Sequence, residues 1–516
     1  MTRIGIDRVL VGTTPLTARQ VVAVAREGSE VSLADDALDR LAAVRGHIDE
    51  LAHSARPAYG ISTGFGALAL RHIAPERRID LQRSFMRSHA AGAGTPVEPE
   101  VVRAMMLLRL RTLMSGHTGV RPQTALTLAR LLNSGLVPVV PEYGSLGCSG
   151  DLAPLAAVGL AMMGEGEVFG PGGALVAAGA ALAAAGIEPL VLAEKEGLAL
   201  TNGTDGMLGM LLLALADLRQ LLDLADLTAA MSVEALLGTD RVFAADLHAL
   251  RPHPGQAVSA SRMLAALADS PIVASHRGDD CPRVQDAYSL RCAPQVHGAA
   301  RDTLDHAATV ADRELAAAID NPVVLADGRV ESNGNFHGAP VAYVLDFLAI
   351  ATADVANIAE RRTDRMLDVH RSHGLPAFLA DDPGVDSGYM IAQYTQAGVV
   401  SELKRLAVPA SVDSIPSSAM QEDHVSMGWS AARKLRRAVD GLTTVLAIEL
   451  LTATRALDLR APLTPAPVTG AVRDLVRTAV AGPGPDRHVA VEIAAVTELI
   501  RSGAVNEVLD REVNLS

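Results

Sequence analysis

Residues 207–237 read MLGMLLLALADLRQLLDLADLTAAMSVEALL, one very long apolar stretch. Leucine recurs on almost every face of the helix that this stretch would form. The charged residues in it are Asp217, Arg219, Asp223, Asp226 and Glu234. A helix that is apolar on nearly all sides is buried among other helices, and at about 1.5 Å per residue this one would be roughly 45 Å long. The stretch predicts a mainly α fold with a long central helical bundle.

Composition supports the same fold class for the 516 residues. The hydrophobic fraction is 49% but aromatic residues make up only 3%, so Ala, Leu and Val supply most of the core, which favours helices. A chain of this length has room for two to three domains. We predict a smaller N-terminal domain over 1–200, which carries two glycine-rich loops, the long-helix bundle over 201–460, and a peripheral C-terminal segment over 461–516.

Charge and cysteine content limit the partners. A formal net charge of −14 argues against a nucleic-acid surface and against anionic membranes, which leaves small molecules. The three cysteines are sparse and odd in number, which fits a reducing compartment. The N-terminus has no continuous apolar segment of the kind found in signal peptides, and no apolar run spans a membrane without a charge or a cluster of glycines. We therefore expect a cytoplasmic protein without a membrane anchor.

Residues 144–156, GSLGCSGDLAPLA, form a glycine-rich loop before a predicted helix. Asp151 is a candidate N-cap for a helix from about Leu152. The loop could be a structural turn or a phosphate cradle, although no Lys follows as it does in a Walker loop. Cys148 or Ser149 could be a nucleophile if a histidine base lies nearby. Alternatively the Gly150 nitrogen could attack the carbonyl two residues back, since no Cβ obstructs it, and Ser149 could lose its hydroxyl.

Five further segments punctuate the chain, and each has an ordinary structural interpretation when taken alone. Tyr59 would be a packing residue, His89 a structural hydrogen bonder, Asn202 a turn residue and Phe336 a core residue. Gln285, Tyr288 and Arg291 are spaced three apart and would share one flank of a helix. The segments are YGISTGFG at 59–66, QRSFMRSHAAGAG at 82–94, RVQDAYSLRCAPQVHG at 283–298, SNGNFHG at 332–338 and SIPSSAMQEDHVSM at 414–427. Asn202 lies in a separate loop, EGLALTNGTDG at 196–206.

Together with the loop at 144–156, these segments resemble, in order, the motifs of the histidine and aromatic amino acid ammonia-lyases, and the match is close to bacterial histidine ammonia-lyases. In that family an Ala-Ser-Gly tripeptide cyclises with loss of two waters to 4-methylidene-imidazol-5-one (MIO). The resemblance implies that Cys148-Ser149-Gly150 forms the MIO here, with the Cys148 side chain outside the ring. No dissociable cofactor or metal would then be needed.

The resemblance also implies roles for individual residues. Tyr59 would remove the β-proton, which requires a lowered phenol pKa, and Arg291 would hold the substrate carboxylate. His89 and Glu422 would form a pocket for imidazole, and His89 argues against phenylalanine as substrate. The remaining residues that it places around the substrate and the MIO are Asn202, Gln285, Tyr288, Asn335 and Phe336.

The implied activity is the deamination of L-histidine to trans-urocanate and ammonia by a carbon–nitrogen lyase. The implied assembly is a homotetramer with active sites shared among three subunits, so that Tyr59, the MIO loop and Glu422 need not meet within one chain. Two alternatives stay open: a lyase or aminomutase for tyrosine or another aromatic amino acid, and a catalytically silent helical homologue. The departures from the family pattern that leave them open are Ala157, Thr201, Asn333 and Met420.

Overall fold

The computed structural model describes residues 4–54, 58–64, 66–68, 70–278, 281 and 284–513. Phe65 and Arg283, which belong to two of the segments quoted above, lie outside the described residues. So do the ends of the predicted first and last domains, residues 1–3 and 514–516.

Helices dominate these ranges. In chain order they are α1 Ala18–Val22, α2 Asp35–His53, α3 Arg78–His89, α4 Pro99–Met114, α5 Pro122–Asn133, α6 Leu152–Met162, α7 Ala178–Ala184, α8 Glu196–Thr201, α9 Asp205–Ala235, α10 Ala245–Ala249, α11 Pro254–Ala266, α12 Pro271–Ala274, α13 Tyr288–Arg291, α14 Ala293–Ala316, α15 Ala339–Leu367, α16 Met390–Leu406, α17 Gly428–Asp458, α18 Pro467–Ala479, α19 Val489–Arg501 and α20 Ala504–Val513.

The strands are short and lie between the helices. They are β1 Arg8–Val11, β2 Glu30–Leu33, β3 Ala93–Pro96, β4 Val137–Pro138, β5 Pro141–Tyr143, β6 Glu167–Phe169, β7 Leu175–Ala177, β8 Val323–Val324 and β9 Val330–Glu331. β1 and β2 pair in parallel, whereas β3–β5, β4–β6–β7 and β8–β9 are antiparallel. The prediction of a mainly α fold is confirmed.

The predicted central helix is α9, and it is buried along nearly its whole length. Its buried charges have partners in neighbouring elements. Asp217 accepts a hydrogen bond of 2.7 Å from Arg26, and Asp226 lies 2.8 Å from Nδ1 of His297. Pairing offsets much of the cost of removing these carboxylates from water. The long apolar stretch can therefore carry several charges and still form the centre of the bundle.

The bundle packs α9 against α4, α14, α15 and α17. Among the described helices, α15 alone is long and apolar enough to cross a membrane by length and composition, with a mean hydropathy of 1.6 over its most apolar window. Of that window, 61% is buried inside the protein. Asp346 of α15 also pairs with Lys434 of α17 at 2.7 Å. Burial against α14 and α17 accounts for its apolar character.

The N-terminal half positions the glycine-rich loop. β3 follows α3 and pairs with β5, which ends at Tyr143, directly before the loop. α6 begins at Leu152, as predicted, and packs against α3 and α8. The loop is therefore held next to the end of α3. In the last part of the chain α19 packs on α17, and the three-part division of the chain remains a prediction.

Candidate active site

Residues 147–150 form a tight turn. The Gly150 N–H donates to the Gly147 carbonyl oxygen at 3.3 Å, and Ser149 has a φ of 54°. A left-handed conformation costs a residue with a side chain about 1–2 kcal/mol. Ser149 therefore adopts a conformation that its surroundings must impose.

Gly203, just after α8, imposes that conformation. Its N–H donates to the Ser149 carbonyl at 3.1 Å, and its carbonyl accepts the Asp151 N–H at 2.8 Å. Gly150 has a φ of 85°, and a Cβ at this position would lie 2.0 Å from the Gly203 oxygen. Only glycine fits at 150, because both the backbone angle and the space require it.

Asp151 occupies the N-cap position of α6, as predicted, but its side chain accepts no capping hydrogen bond from that helix. Its carboxylate instead accepts hydrogen bonds from the Ser145 hydroxyl and the Met207 N–H, each at 2.9 Å. Burial raises the pKa of Asp151 to about 7, although these hydrogen bonds act to lower it. The carboxylate thus ties the turn to the first residues of α9.

Asn202 holds the side chain of Ser149. The Ser149 hydroxyl donates to the Asn202 Oδ1 at 2.8 Å, and the Asn202 Nδ2 donates to the Asn321 carbonyl at the same distance. Asn202 is buried, with 2% of its surface exposed. The serine hydroxyl is therefore fixed in one direction.

Tyr59 lies in the loop that follows α2. Its hydroxyl accepts the Gly66 N–H at 3.1 Å. Burial raises the pKa of the Tyr59 phenol and the charge of Glu422 raises it further, whereas the hydrogen bond from Gly66 lowers it. In the described part of this single chain, burial and a neighbouring carboxylate both disfavour the phenolate, whereas a basic role requires a lowered pKa.

His89 is the last residue of α3. Its ring stacks on Phe85 with centroids 3.8 Å apart, and its Nδ1 lies 2.9 Å from the Phe85 carbonyl oxygen. Burial lowers the pKa of His89, against the opposing effects of that carbonyl and of Glu422. Because a carbonyl oxygen only accepts, Nδ1 carries the proton and Nε2 of the neutral ring is an acceptor.

Ser417 fixes Glu422. Their backbones pair in both directions at 3.0 and 3.3 Å, and the Ser417 hydroxyl donates to the Glu422 Oε2 at 2.8 Å. Ser417 was not among the site residues predicted from the sequence, although it precedes Glu422 by five residues in the same segment. Its hydroxyl stabilises the ionised carboxylate in one orientation.

Cys148 is a poor nucleophile. Burial raises the pKa of its thiol to about 12, with a further contribution from the charge of Glu422. The thiolate is the nucleophilic form of cysteine, and little of it is present near neutral pH at such a pKa. This disfavours the reading of the loop in which Cys148 attacks.

A single cavity of 980 Å³ brings seven of the predicted site residues together within one chain. Tyr59, the loop and Glu422, which on the family resemblance need not meet in one chain, do meet here. The cavity holds groups that accept and donate protons beside an unusually constrained serine. The seven residues are Tyr59, His89, Cys148, Ser149, Gly150, Asn202 and Glu422.

A second group of predicted residues does not line this cavity in the described part of the chain. It consists of Gln285, Tyr288 and Arg291. Gln285 is exposed and precedes α13, so the prediction that all three share a helix flank is wrong. The helix begins only at Tyr288 because the backbone of Ala287 is extended. The Asp286 carbonyl oxygen accepts a hydrogen bond of 2.9 Å from Arg291 Nε. The Arg291 guanidinium lies 4.7 Å from the centroid of the Tyr288 ring, which is 72% exposed.

Asn335 and Phe336 form a third group, which does not line the cavity either. Asn335 is exposed and Phe336 is partly buried. Their loop is attached to the chain near Asn202, because Asn333 Nδ2 donates to the Asp320 carbonyl at 3.0 Å. The predicted site residues thus form three groups within one chain, and among the described residues only the first group lines the cavity.

Known proteins that are similar to this chain give its class, which is that of the carbon–nitrogen lyases. A family model described as aromatic amino acid lyase matches residues 16–478. The chain belongs to the aromatic amino acid lyase family, whose members depend on MIO.

Similar proteins include several histidine ammonia-lyases. One from Streptomyces avermitilis is 67% identical over 498 residues, 96% of this chain and 97% of the relative. The structure of histidine ammonia-lyase from Trypanosoma cruzi has a TM-score of 0.90 and 40% identity, covering 98% of this chain and 95% of that one. The structure of tyrosine aminomutase from Streptomyces globisporus has a TM-score of 0.93 and 36% identity, covering 99% of each. The fold is therefore shared by enzymes with different substrates.

Proposed function

We propose that this protein is a histidine ammonia-lyase, which converts L-histidine to trans-urocanate and ammonia on an MIO formed from Cys148-Ser149-Gly150. The observation that carries the proposal is the strained Ser149 turn, which opens into the same cavity as His89 and Glu422. The turn supplies the electrophile, and the two side chains suit an imidazole ring.

The residues of the turn fit MIO formation. The Gly150 nitrogen bonds to the Cys148 carbonyl carbon, and that oxygen leaves as water with the amide hydrogens of Ser149 and Gly150. Ser149 then loses its α-hydrogen and its hydroxyl as a second water, which leaves a carbon–carbon double bond. A glycine at 150 presents its nitrogen without a Cβ, and the contacts with Gly203 hold the turn closed.

Elimination needs a base near the β-carbon of the substrate. The MIO, once formed, supplies an electrophilic carbon that activates the substrate for loss of its β-hydrogen and ammonia. Tyr59 accepts the β-proton at its phenolic oxygen. Burial and the charge of Glu422 raise the pKa of this phenol in the free chain, so a positive charge beside it would favour the phenolate. The ammonium group of the incoming amino acid brings such a charge.

Two acceptors favour histidine as the substrate. Nε2 of neutral His89 and the carboxylate of Glu422 both accept hydrogen bonds. A substrate imidazole has one N–H donor when it is neutral and two when it is protonated, and the charge of Glu422 favours the protonated form. A tyrosine phenol has one donor and phenylalanine has none. The 67% identical relatives named as histidine ammonia-lyases support the same substrate. The similarity to a tyrosine aminomutase keeps an aromatic amino acid lyase or aminomutase as the second candidate.

The second and third groups of residues suggest shared active sites. Tyr288, Gln285 and Asn335 are exposed in the single chain. Neither Arg291 nor Phe336 is among the described residues that line the cavity. We propose a homotetramer in which one neighbouring copy supplies Gln285, Tyr288 and Arg291 to the cavity and another supplies Asn335 and Phe336. We expect this assembly to be cytoplasmic.

Substrate is tested by incubating the purified protein separately with L-histidine, L-tyrosine and L-phenylalanine. We expect urocanate, detected by its ultraviolet absorbance, and ammonia from histidine alone. Coumarate or a β-amino acid from tyrosine, without urocanate, would support the second candidate. Intact-protein mass tests the electrophile, since a chain that is not lighter by two waters contains no MIO and would be a silent homologue.

Shared sites are tested by mixing two inactive variants. Tyr59→Phe and Arg291→Met each remove one required group, so each homotetramer should be inactive. If different copies supply Tyr59 and Arg291, co-expression in equal amounts should restore about a quarter of the sites by random assortment. A mixture that remains as inactive as either parent, although the two chains co-assemble, would show that one chain supplies both groups.

A further inference from the structure

A fully buried ion pair lies behind Asn202. Lys195 Nζ is 2.5 Å from Asp320 Oδ2, and both side chains have no exposed surface. Lys195 precedes α8, at whose far end Asn202 lies, and Asp320 belongs to the segment after α14. Neither residue lines the cavity within the described part of the chain.

The pair contacts the amide of Asn202 on the side away from Ser149. Asn202 Nδ2 lies 3.4 Å from Asp320 Oδ1 and 2.8 Å from the Asn321 carbonyl oxygen. The carboxylate oxygen and the carbonyl oxygen both accept hydrogen bonds. They select the orientation in which the NH₂ group of the amide faces them and its oxygen faces Ser149. The reversed orientation would place the amide oxygen against these two acceptors and point the NH₂ group at the serine.

Lys195 holds the Asp320 carboxylate in place. Its ammonium contacts Asp320 Oδ2, so that Oδ1 faces the Asn202 amide. If the ammonium were removed, Oδ2 would be left buried without its partner, and the carboxyl group would be less firmly held. The preference for one orientation of the Asn202 amide would then weaken.

We propose that Lys195 and Asp320 are positioning residues for the dehydration of Ser149, acting through the Asn202 amide. The inference rests on the proposed function, because it concerns how the MIO forms. In the step concerned the Cβ–Oγ bond of Ser149 breaks, its α-hydrogen leaves as a proton, and the oxygen departs as water. The Ser149 hydroxyl donates its hydrogen to Asn202. The lone pairs of its oxygen can therefore accept a further proton, and the group then leaves as water.

Lys195→Met, in the full-length protein, tests this assignment. Its matched control is Arg362→Met, which also removes the cation of an ion pair with no exposed surface, the pair with Glu449 in the bundle. Both variants should lose thermal stability. The measured quantity is the fraction of chains that are lighter by two waters in freshly purified protein. We expect this fraction to fall about tenfold in Lys195→Met alone, because the hydrogen bond between Asn202 and Asp320 that orients the amide is lost. Chains lighter by one water or by none should replace them.

The outcomes separate this inference from the proposed function. A wild-type chain that is not lighter by two waters would overturn both. A wild type and a Lys195→Met variant that are equally and completely dehydrated would overturn the positioning role and leave the proposed function standing. Lys195→Arg, which keeps the cation, should restore the mass loss. If Lys195→Met does not fold, Asp320→Leu, whose side chain has no hydrogen-bond acceptor, decides by the same criterion, and full dehydration in that variant would refute the role.

Discussion

Gly150→Ala should prevent the Ser149 turn from cyclising. The new Cβ would lie 2.0 Å from the Gly203 oxygen, whereas ordinary contact begins at 3.4 Å, so the Gly203 backbone would have to retreat by the difference of 1.4 Å. That movement breaks the two backbone hydrogen bonds between Gly203 and the turn. The turn would then no longer be held closed against the Cys148 carbonyl.

The magnitude follows from two contributions. A methyl group at a φ of 85° costs about 1–2 kcal/mol. Two buried hydrogen bonds lost with their groups left unpaired cost about 1–3 kcal/mol each. We therefore expect Gly150→Ala to destabilise the protein by about 3–8 kcal/mol, a large part of the 5–15 kcal/mol that is typical of a folded domain.

Gly172→Ala is the matched control. Gly172 has a similar φ of 80°, but a Cβ there would meet nothing within 4 Å. This variant should lose only about 1–2 kcal/mol and keep both the loss of two waters and the turnover of histidine. Intact mass, urocanate production and urea unfolding at equal protein concentration measure the three quantities. A Gly150→Ala chain that is lighter by two waters and as active as Gly172→Ala would refute the reasoning.

Three further predictions concern the same cavity. Ser149→Ala should leave a folded oligomer with no loss of two waters and no turnover, measured by intact mass and urocanate absorbance; near-normal activity would contradict the MIO assignment. Glu422→Gln should raise the KM for histidine and, because the charge of Glu422 raises the pKa of Tyr59, should shift the rising limb of the pH–rate profile to lower pH; an unchanged or higher limb would count against Tyr59 as the base. Ser417→Ala removes the hydroxyl that holds Glu422 Oε2 and should raise KM by about 5- to 20-fold with little change in MIO content; an unchanged KM would show that the backbone pairing alone positions the carboxylate.

Local patterns predicted the helices and the position of the loop. The apolar stretch at 207–237 became α9, and the helix expected from Leu152 begins there. Such elements depend on residues close together in sequence, whose spacing is visible without a structure. The family resemblance, which comes from the order of six motifs, supplied the residues of the cavity.

Two local patterns did not predict the contacts of their side chains. Asp151 is at the N-cap position of α6, as expected, but its carboxylate accepts hydrogen bonds from Ser145 and from Met207 of α9 and does not cap the helix. Gln285 has helical spacing from Tyr288 and Arg291, but the chain before Tyr288 is extended. In both cases a partner distant from the local motif or a backbone contact outweighed the local preference.

The sequence by itself determined a helical protein built around a long buried helix, with a serine turn flanked by glycines. Apolar periodicity and the conformational freedom of glycine are properties of short stretches, so they can be recognised in the sequence without a structure. Only the tertiary structure decided that Ser149 meets Asn202, that Lys195 and Asp320 lie behind it, and that burial beside Glu422 raises the pKa of Tyr59. These features arise because packing removes water and brings charges from distant parts of the chain together, and neither effect is encoded in local spacing.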